Sequence, residues 1–304
     1  MDINIKSLES PDEMIKVEEI QRQVWEGSET EVVPAHMLIA AVQHGGILLG
    51  AFVDDISQEK CVGFVFGFPG MYFTPDGPRP MHCSHMLAVL PEYRDLGLGF
   101  RLKRAQWQMV RHQGLDRIVW TYDPLMSRNA FLNITKLGAV CNTYLRNIYG
   151  EMRDEINKGL MSDRFQVDWW VNTNRVNHRL SRRARRPLGL NHFLDAGIQI
   201  INPSCNNPQG FPCPTQVLST IIDHIKNVTD TTNAQPPAML LVEVPSDFSL
   251  LKKADLQLAI EWREVTRQIF EALFKADYLV TDFVQSSSSN SRSYYVLSYG
   301  LSTL

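Results

Sequence analysis

Arginine and glycine residues between positions 94 and 99 have the spacing of a loop that holds a phosphate group. The segment reads RDLGLG and lies between a predicted strand and a predicted helix. The first N–H groups of a helix have no intrahelical acceptor, and the helix dipole makes that end positive. Gly97 and Gly99 let the backbone approach an anion closely, and Arg94 could add a charge-assisted contact. The spacing is therefore compatible with a phosphate site, but on its own this short pattern favours a tight turn that merely needs glycine.

A Rossmann turn that binds a dinucleotide is the alternative for the same glycines. The pattern Gly97-x-Gly99-x-x-Leu102 lacks the third glycine, although Asp123 lies about where a ribose-binding acid would be. In a Rossmann unit the strand leads almost directly into the first glycine. Here Pro91–Leu96 intervenes, so we rank the dinucleotide interpretation second.

Side chains that could transfer protons lie just before this segment. His85 is on the predicted strand, and imidazole titrates close to neutrality, so it could accept the proton of an amine. A packed strand histidine that is hydrogen-bonded to backbone is the alternative. Ser84 could orient His85 or relay a proton through water.

Hydrophobic periodicity defines the elements that lead to the turn. Ser10 and Glu13, with Pro11 between them, form a capping box at the start of a helix. The predicted elements before the turn are a strand at Ile3–Leu8, helices ending near Trp25 and His44, antiparallel strands at Ile47–Asp54 and Cys61–Phe68, a loop at Pro69–Pro80 and a strand at His82–Leu90.

The elements after the turn continue the alternation of strands and helices. The predictions are a helix to about Gln113, a strand at Arg117–Tyr122, a short helix capped by Ser127, strands at Ala139–Tyr149 and Phe165–Asn172, a strand at Ala238–Val244, a helix near Asp255–Phe274, and strands at Tyr278–Val284 and Ser293–Tyr299. We expect an α/β domain at residues 1–175 and an α+β extension at residues 176–304. Because strand–helix–strand occurs in both halves, the extension could be a degenerate second copy of the first domain.

Two segments resemble motifs of the GNAT superfamily of N-acetyltransferases. LAVLPEYRDLGLGFRL, residues 87–102, is similar to the acyl-CoA-binding motif of these enzymes, and RNAFLNITKLGA, residues 128–139, resembles their later Asn-led helix. The resemblance covers about residues 1–172. SHMLAV, WTYDPL, Tyr149-Gly150 and Asp163-Arg164 are similar to a branch known only as predicted acetyltransferases, which carry a C-terminal extension. The resemblance implies the GNAT fold, in which helices flank a mixed sheet whose two central parallel strands splay apart.

The resemblance also implies where acetyl-CoA or another acyl-CoA would bind as co-substrate. Pantetheine would pair with the exposed edge of the strand before the turn, and a backbone N–H near Leu87 would polarise the thioester carbonyl. Asn129 would approach the thiol arm. The implied cofactor-binding residues are Leu87, Ala88, Val89, Arg94, Asp95, Leu96, Gly97, Leu98, Gly99 and Asn129.

Acyl transfer needs a base for the amine and an acid for the leaving thiolate. Ile134 occupies the position of the tyrosine that many GNAT enzymes use as the acid. Tyr122, Tyr144 and Tyr149 are the alternatives, and each could equally be a half-buried strand aromatic. We name His85, Ser84 and Tyr149 as the candidate catalytic residues. Asp123 could bind an amine or cap a helix.

Composition and charge restrict the partners. The chain has 304 residues, a formal net charge of −3 and a pI near 6.2, which argue against nucleic acid or an anionic membrane. No aromatic residues interleave with the arginines between 179 and 186, so we expect a solvated linker or helix face. The five cysteines are scattered, so we expect free thiols and no metal site. Without an apolar N-terminal segment, we expect a cytoplasmic protein.

The predicted function is transfer of a short acyl group from acyl-CoA to a primary amine by direct attack in a ternary complex. The acceptor would be a small molecule or a peptide, and a homodimer is left open. The alternative is a non-catalytic module of the same fold that binds acyl-CoA or a partner protein, which Ile134 and the long extension favour.

Overall fold

The computed structural model describes residues 3–25, 29–55, 58–152, 158–181, 187–214, 236–286 and 292–300. Contacts divide the chain into two compact units. Unit 1 consists of residues 1–120, 152–158 and 168–173, and unit 2 of residues 121–151, 159–167 and 174–304. Within the described ranges, no helix has both the length and the apolar character needed to cross a bilayer.

The first two helices of unit 1 are the predicted ones. Helix α1, Pro11–Val24, begins at a capping box in which the side chains of Ser10 and Glu13 bond each other's backbone N–H groups. Helix α2, Ala35–Gln43, is followed by Gly45, whose φ of +89° lies in the left-handed region that ends many helices. Both predictions are confirmed.

The sheet of unit 1 begins with four antiparallel strands in chain order. These are β1 (Ile3–Ser7), β2 (Ile47–Asp55), β3 (Gln58–Thr74) and β4 (Gly77–Val89). A bulge interrupts the pairing of β3 with β4, because Phe66 pairs with Met86 whereas Gly67 pairs with Ser84. His85 is the additional residue at this bulge.

The loop predicted at Pro69–Pro80 is wrong. The hairpin of β3 and β4 continues through this segment, and it turns only between Thr74 and Gly77. The hydroxyl of Thr74 donates to the Gly77 carbonyl at 2.9 Å and closes the turn. The ladder between β4 and β5 (Arg117–Tyr122) includes only His82 and Cys83 of β4. The prolines of β4 precede that ladder, in a part of the strand that pairs with β3 alone, where proline is tolerated.

Helix α3, Leu98–His112, connects the turn to β5 and packs against β2, β3 and β4. Gly114 follows it with φ of +76°, so the predicted helix end is confirmed. The buried side of α3 carries two polar residues among its apolar ones. Its buried residues are Leu98, Leu102, Lys103, Gln106 and Val110.

Unit 2 begins with the end of β5 and a short helix, α4 (Ser127–Ala130), which continues as a π-helical segment at Phe131–Lys136. The prediction that Ser127 caps this helix is wrong, because Met126 precedes the helix in the N-cap position. The buried Ser127 hydroxyl donates instead to the carbonyl of Pro245 at 2.8 Å.

The remaining elements of unit 2 include four neighbouring strands of one sheet, in the order β6-β11-β12-β10, and a separate two-stranded sheet of β8 and β9. The strand predicted at 139–149 ends earlier than expected, at Leu145, and Asn147 has a positive φ of 42°. Strand β7 contributes residues to both units. The elements are β6 (Val140–Leu145), β7 (Arg164–Trp170), α5 (Asn174–Leu180), α6 (Leu190–Asp195), β8 (Cys205–Asn206), β9 (Pro212–Cys213), β10 (Met239–Pro245), α7 (Phe248–Ala254), α8 (Leu256–Lys275), β11 (Tyr278–Gln285) and β12 (Arg292–Tyr299).

The two units do not follow the predicted domains at 1–175 and 176–304, because β5 and β7 each change unit partway along the strand. Those domains and the degenerate second copy stay predictions.

Of the arginine run, residues 182–186 lie outside the described residues, whereas Arg179 pairs with Asp282 at 2.6 Å.

Candidate active site

The C-terminal half of β4 has an open edge on the side of β5. The parallel ladder between the two strands consists of His82 with Ile118 and Cys83 with Val119. Beyond Cys83, the described residues of β4 pair with β3 alone, and Leu87 lies opposite Val65. Backbone N–H and C=O groups along such an edge can bond an extended ligand as an added strand would.

The open edge leads into the glycine turn. Asp95 and Gly97 have φ of +69° and +73°, and Gly97 is the residue before α3. The first bond of α3 runs from the Arg101 N–H to the Gly97 carbonyl at 3.1 Å. The N–H groups of Leu98–Phe100 therefore precede the intrahelical ladder.

Arg94 links this turn to the end of β4. Its Nε donates to the carbonyl of Val89 at 3.2 Å, which draws the side chain toward the end of the strand. Residues 94–97 are exposed. The turn thus combines an arginine, a left-handed backbone and helix N–H groups, which together suit a phosphate.

His85 lies on an aromatic surface. Its ring centroid is 5.7 Å from that of Phe68 and 6.3 Å from that of Phe66. Partial burial against these rings lowers the pKa of His85 below its usual 6.5. The described residues provide no hydrogen-bond partner for its imidazole, and the side chain is exposed.

Ser84 belongs to a buried polar cluster on α3. Its hydroxyl donates to Gln106 Oε1 at 2.9 Å and accepts from Lys103 Nζ at 2.8 Å. Gln106 Nε2 lies 3.2 Å from His82 Nε2. These contacts occupy Ser84, and the expected orienting contact with His85 is not among its hydrogen bonds in the described part of the chain.

Gly67 gives this cluster its space. A Cβ at this position would lie 2.2 Å from His82 Nε2, so the imidazole fits only beside glycine. Burial lowers the pKa of His82 to about 3, which keeps the ring neutral. Its Nδ1 has no hydrogen-bond partner among the described residues.

Over residues 14–132, the chain matches the sequence profile of the Acetyltransferase (GNAT) family. Residues 14–132 form a GNAT acetyltransferase domain. This range includes the open edge of β4, the glycine turn and α3. The α/β class predicted for this part of the chain is confirmed.

Solved structures similar to this GNAT domain cover just over half of the chain. An acetyltransferase of the GNAT family from Streptococcus pneumoniae is 17% identical, with a TM-score of 0.42, and the match covers 55% of this chain and 98% of that one. The NatC complex bound to Gag peptide and CoA matches at 14% identity and TM-score 0.43, over 55% of this chain and 98% of that one. Aminoglycoside 6'-acetyltransferase type Ii matches at 18% identity and TM-score 0.42, over 57% and 99%. Among curated proteins, no relative matches.

Other predicted site residues belong to unit 2. Asn129 is exposed on α4. The Tyr149 phenol is 2.7 Å from the Thr121 hydroxyl, and 51% of the residue is exposed. Burial raises the pKa of Tyr122 and of Tyr144 well above the usual range, which makes both phenols poor proton donors. Tyr149 is thus the one exposed phenol of the three.

Asp123 holds a buried ion pair in unit 2. Both of its carboxylate oxygens accept from Arg263, at 2.8 and 2.5 Å, and Oδ1 also accepts from the Leu125 N–H at 2.9 Å. The guanidinium of Arg263 lowers the pKa of Asp123 against the opposing effect of burial. The carboxylate is therefore committed to Arg263, and the expectation that it binds an amine has no support here.

Lys103 is the residue that sequence reasoning missed. It is only 2% exposed, although lysine is rarely buried without a paired charge. The available pattern was the spacing of Lys103 and Gln106, three residues apart beside the apolar Leu102 and Val110 on one side of α3. No group of three or more potential metal ligands occurs among the residues that the structure describes.

Proposed function

We propose that the chain transfers an acetyl or other short acyl group from acyl-CoA to a primary amine. The observation that carries the proposal is the open edge of β4 leading into a helix N-terminus at Gly97, inside a GNAT domain. An extended arm can pair with the strand edge while its pyrophosphate meets the helix N–H groups.

The proposed cofactor contacts follow from this geometry. Leu87, Ala88 and Val89 supply strand-edge backbone to pantetheine. Residues 94–99 supply the phosphate turn, with the Arg94 guanidinium beside it. Asn129 remains a proposed contact for the thiol arm.

His85 is the proposed base. Its exposed imidazole has no competing hydrogen bond among the described residues, and its lowered pKa keeps it neutral at pH 7. In a ternary complex it would take the proton of the attacking amine. Tyr149 is retained as the proposed acid because its phenol is exposed.

The acceptor class is proposed as an amine on a peptide or a small molecule. The similar structures include one bound to a peptide and CoA and one named for an aminoglycoside substrate. The amine must reach the thioester in its neutral form, because an ammonium has no lone pair for attack.

A turnover assay tests the proposal directly. The intact protein is incubated with acetyl-CoA and a panel of amine-bearing peptides and aminoglycosides, and CoA release is compared with mass increase of the acceptor. We expect release and acceptor acetylation in equal amounts for at least one acceptor class. Acetyl-CoA binding without acetylation of any acceptor would contradict catalysis.

A non-catalytic module that binds acyl-CoA is the second candidate. Ile134, buried in the π-helical segment, has a hydrocarbon side chain, so the residue at that position cannot provide a proton. The same assay separates the candidates, since the module would bind acetyl-CoA and leave every amine unchanged.

A further inference from the structure

Lys103 is a buried amine without an opposite charge. Its Nζ donates to Ser84 Oγ at 2.8 Å and to Gln106 Oε1 at 3.2 Å. The centroid of the Trp120 ring lies 3.5 Å away, and that of Trp169 lies 5.6 Å away. Among the described residues no carboxylate lies within ion-pair distance of this amine. Such burial of an uncompensated charge is costly, so an amine here calls for an anion or stays neutral.

The position of this amine is specific. The ladder between β4 and β5 ends at Cys83 and Val119, and the next residues on the two strands are Ser84 and Trp120. Lys103 contacts both of these residues. Its amine therefore lies where the two strands begin to separate, at the closed end of the open edge.

We propose that Lys103 exchanges a proton with the sulfur of the bound thioester through the hydroxyl of Ser84. This inference rests on the proposed function, because it requires acyl-CoA on the open edge of β4. In acyl transfer the amine nitrogen forms a bond to the thioester carbon, the carbon–sulfur bond breaks, and the electron pair leaves on sulfur. The nitrogen loses one proton and the sulfur gains one. His85, the proposed base, takes up the first and releases it to solvent water. Lys103, in place of Tyr149, takes up a proton from solvent water and supplies the second, so no other co-reactant is needed.

The surroundings favour an amine that changes charge only when sulfur becomes negative. Burial lowers the pKa of Lys103 well below its usual range, which favours the neutral amine when the edge is empty. A thiolate beside it would favour the ammonium. The other titratable groups near the amine are the Cys83 thiol and the His82 imidazole. Both are uncharged at neutral pH, because burial raises the pKa of the thiol and lowers the pKa of the imidazole to about 3.

The test is the ionisation of CoA itself, which needs no acceptor. Reduced CoA is bound to the intact protein, and the ultraviolet absorbance of its thiolate is titrated with pH. We expect the thiol pKa of bound CoA to lie below that of free CoA, so that the ratio of thiolate to thiol at a given pH rises roughly tenfold when the pKa falls by one. In Lys103→Met the thiol should titrate as in free CoA, while acetyl-CoA, which has no thiol, keeps its affinity.

Lys6→Met is the matched control, because Lys6 also lies over an aromatic ring, that of Phe52, but on the edge strand β1. It should leave the bound thiol pKa unchanged. An identical bound thiol pKa in the parent and Lys103→Met overturns the inference and leaves the proposed function standing. If neither CoA nor acetyl-CoA binds the parent, both fail. If Lys103→Met does not fold, the parent decides, since a bound thiol that titrates as in free CoA also overturns the inference.

Discussion

Two histidines on β4 differ in their surroundings although they are three residues apart. His82 points into the polar cluster on α3, whereas His85 lies against the rings of Phe66 and Phe68. Burial makes the first a structural group with a strongly lowered pKa. The second is exposed and free to meet an amine, as the proposed base must be.

Replacing His85 with Gln should slow acyl transfer by roughly 10²–10⁴-fold, the usual contribution of a positioned base, while acetyl-CoA affinity stays unchanged. In the parent the rate should rise with pH through a midpoint below 6.5, because burial lowers the pKa of His85. That rise should be missing from the variant. The pH–rate profile measures both, with the exposed His112→Gln as control. Overlaid profiles for parent and His85→Gln would dismiss His85 as the base.

His82 should make the protein less stable in acid. Its pKa is about 3 in the folded state against 6.5 for an ordinary histidine, so the unfolded chain binds the proton first as pH falls below 6.5. The contribution of His82 to the free energy of unfolding is therefore complete above pH 6.5. It falls by about 1.4 kcal/mol per pH unit as the pH decreases toward 3. Urea unfolding of the parent and His82→Asn measures the difference. If the free energy of unfolding changes with pH equally in the parent and in His82→Asn, His82 is not held neutral in the folded state.

At the scale of elements, helices that begin and end at specific residues could be predicted from the sequence. The capping box of α1 and the glycines after α2 and α3 confirm this. The hairpin of β3 and β4 could not be predicted from the sequence. Its glycines and prolines are typical of a loop, and the sequence alone does not show how the strands pair. The buried side of α3 could not be predicted either, because Lys103 is polar and contacts residues distant in sequence, such as Ser84 and Trp120.

Asp123, the residue after β5, forms an ion pair in unit 2 with Arg263 of helix α8, whose side chain is 3% exposed. Asp123→Ala should lower the free energy of unfolding by about 3–5 kcal/mol, because it leaves a buried guanidinium unpaired. Asp255→Ala is the control: its carboxylate caps α8 through the Leu258 N–H, and its loss should cost about 1 kcal/mol. If urea unfolding shows the same loss of unfolding free energy in Asp123→Ala and Asp255→Ala, a structural role for Asp123 beyond capping is contradicted.

At the scale of the molecule, the sequence predicted the N-terminal family domain better than the rest. The strands β1, β2 and β5, the helices α1, α2 and α3 and the glycine turn agree with the structure because local patterns specify them. The strands β10, β11 and β12 and the helix α8 were also predicted correctly. The division into units could not be predicted, because it depends on long-range pairing of β5 and β7 rather than on local pattern.

Acetyl-CoA binding to Gly99→Asp, measured by calorimetry, tests the central claim most directly. Gly99 lies in the first turn of α3, where a carboxylate stabilises an empty helix but faces a bound pyrophosphate. We therefore expect a folded protein whose acetyl-CoA affinity falls by roughly a hundredfold or more, since like charges in contact cost several kcal/mol. Gly189→Asp, an exposed change at the start of α6, should bind as the parent does. Unchanged acetyl-CoA affinity in folded Gly99→Asp would contradict the assignment of the site.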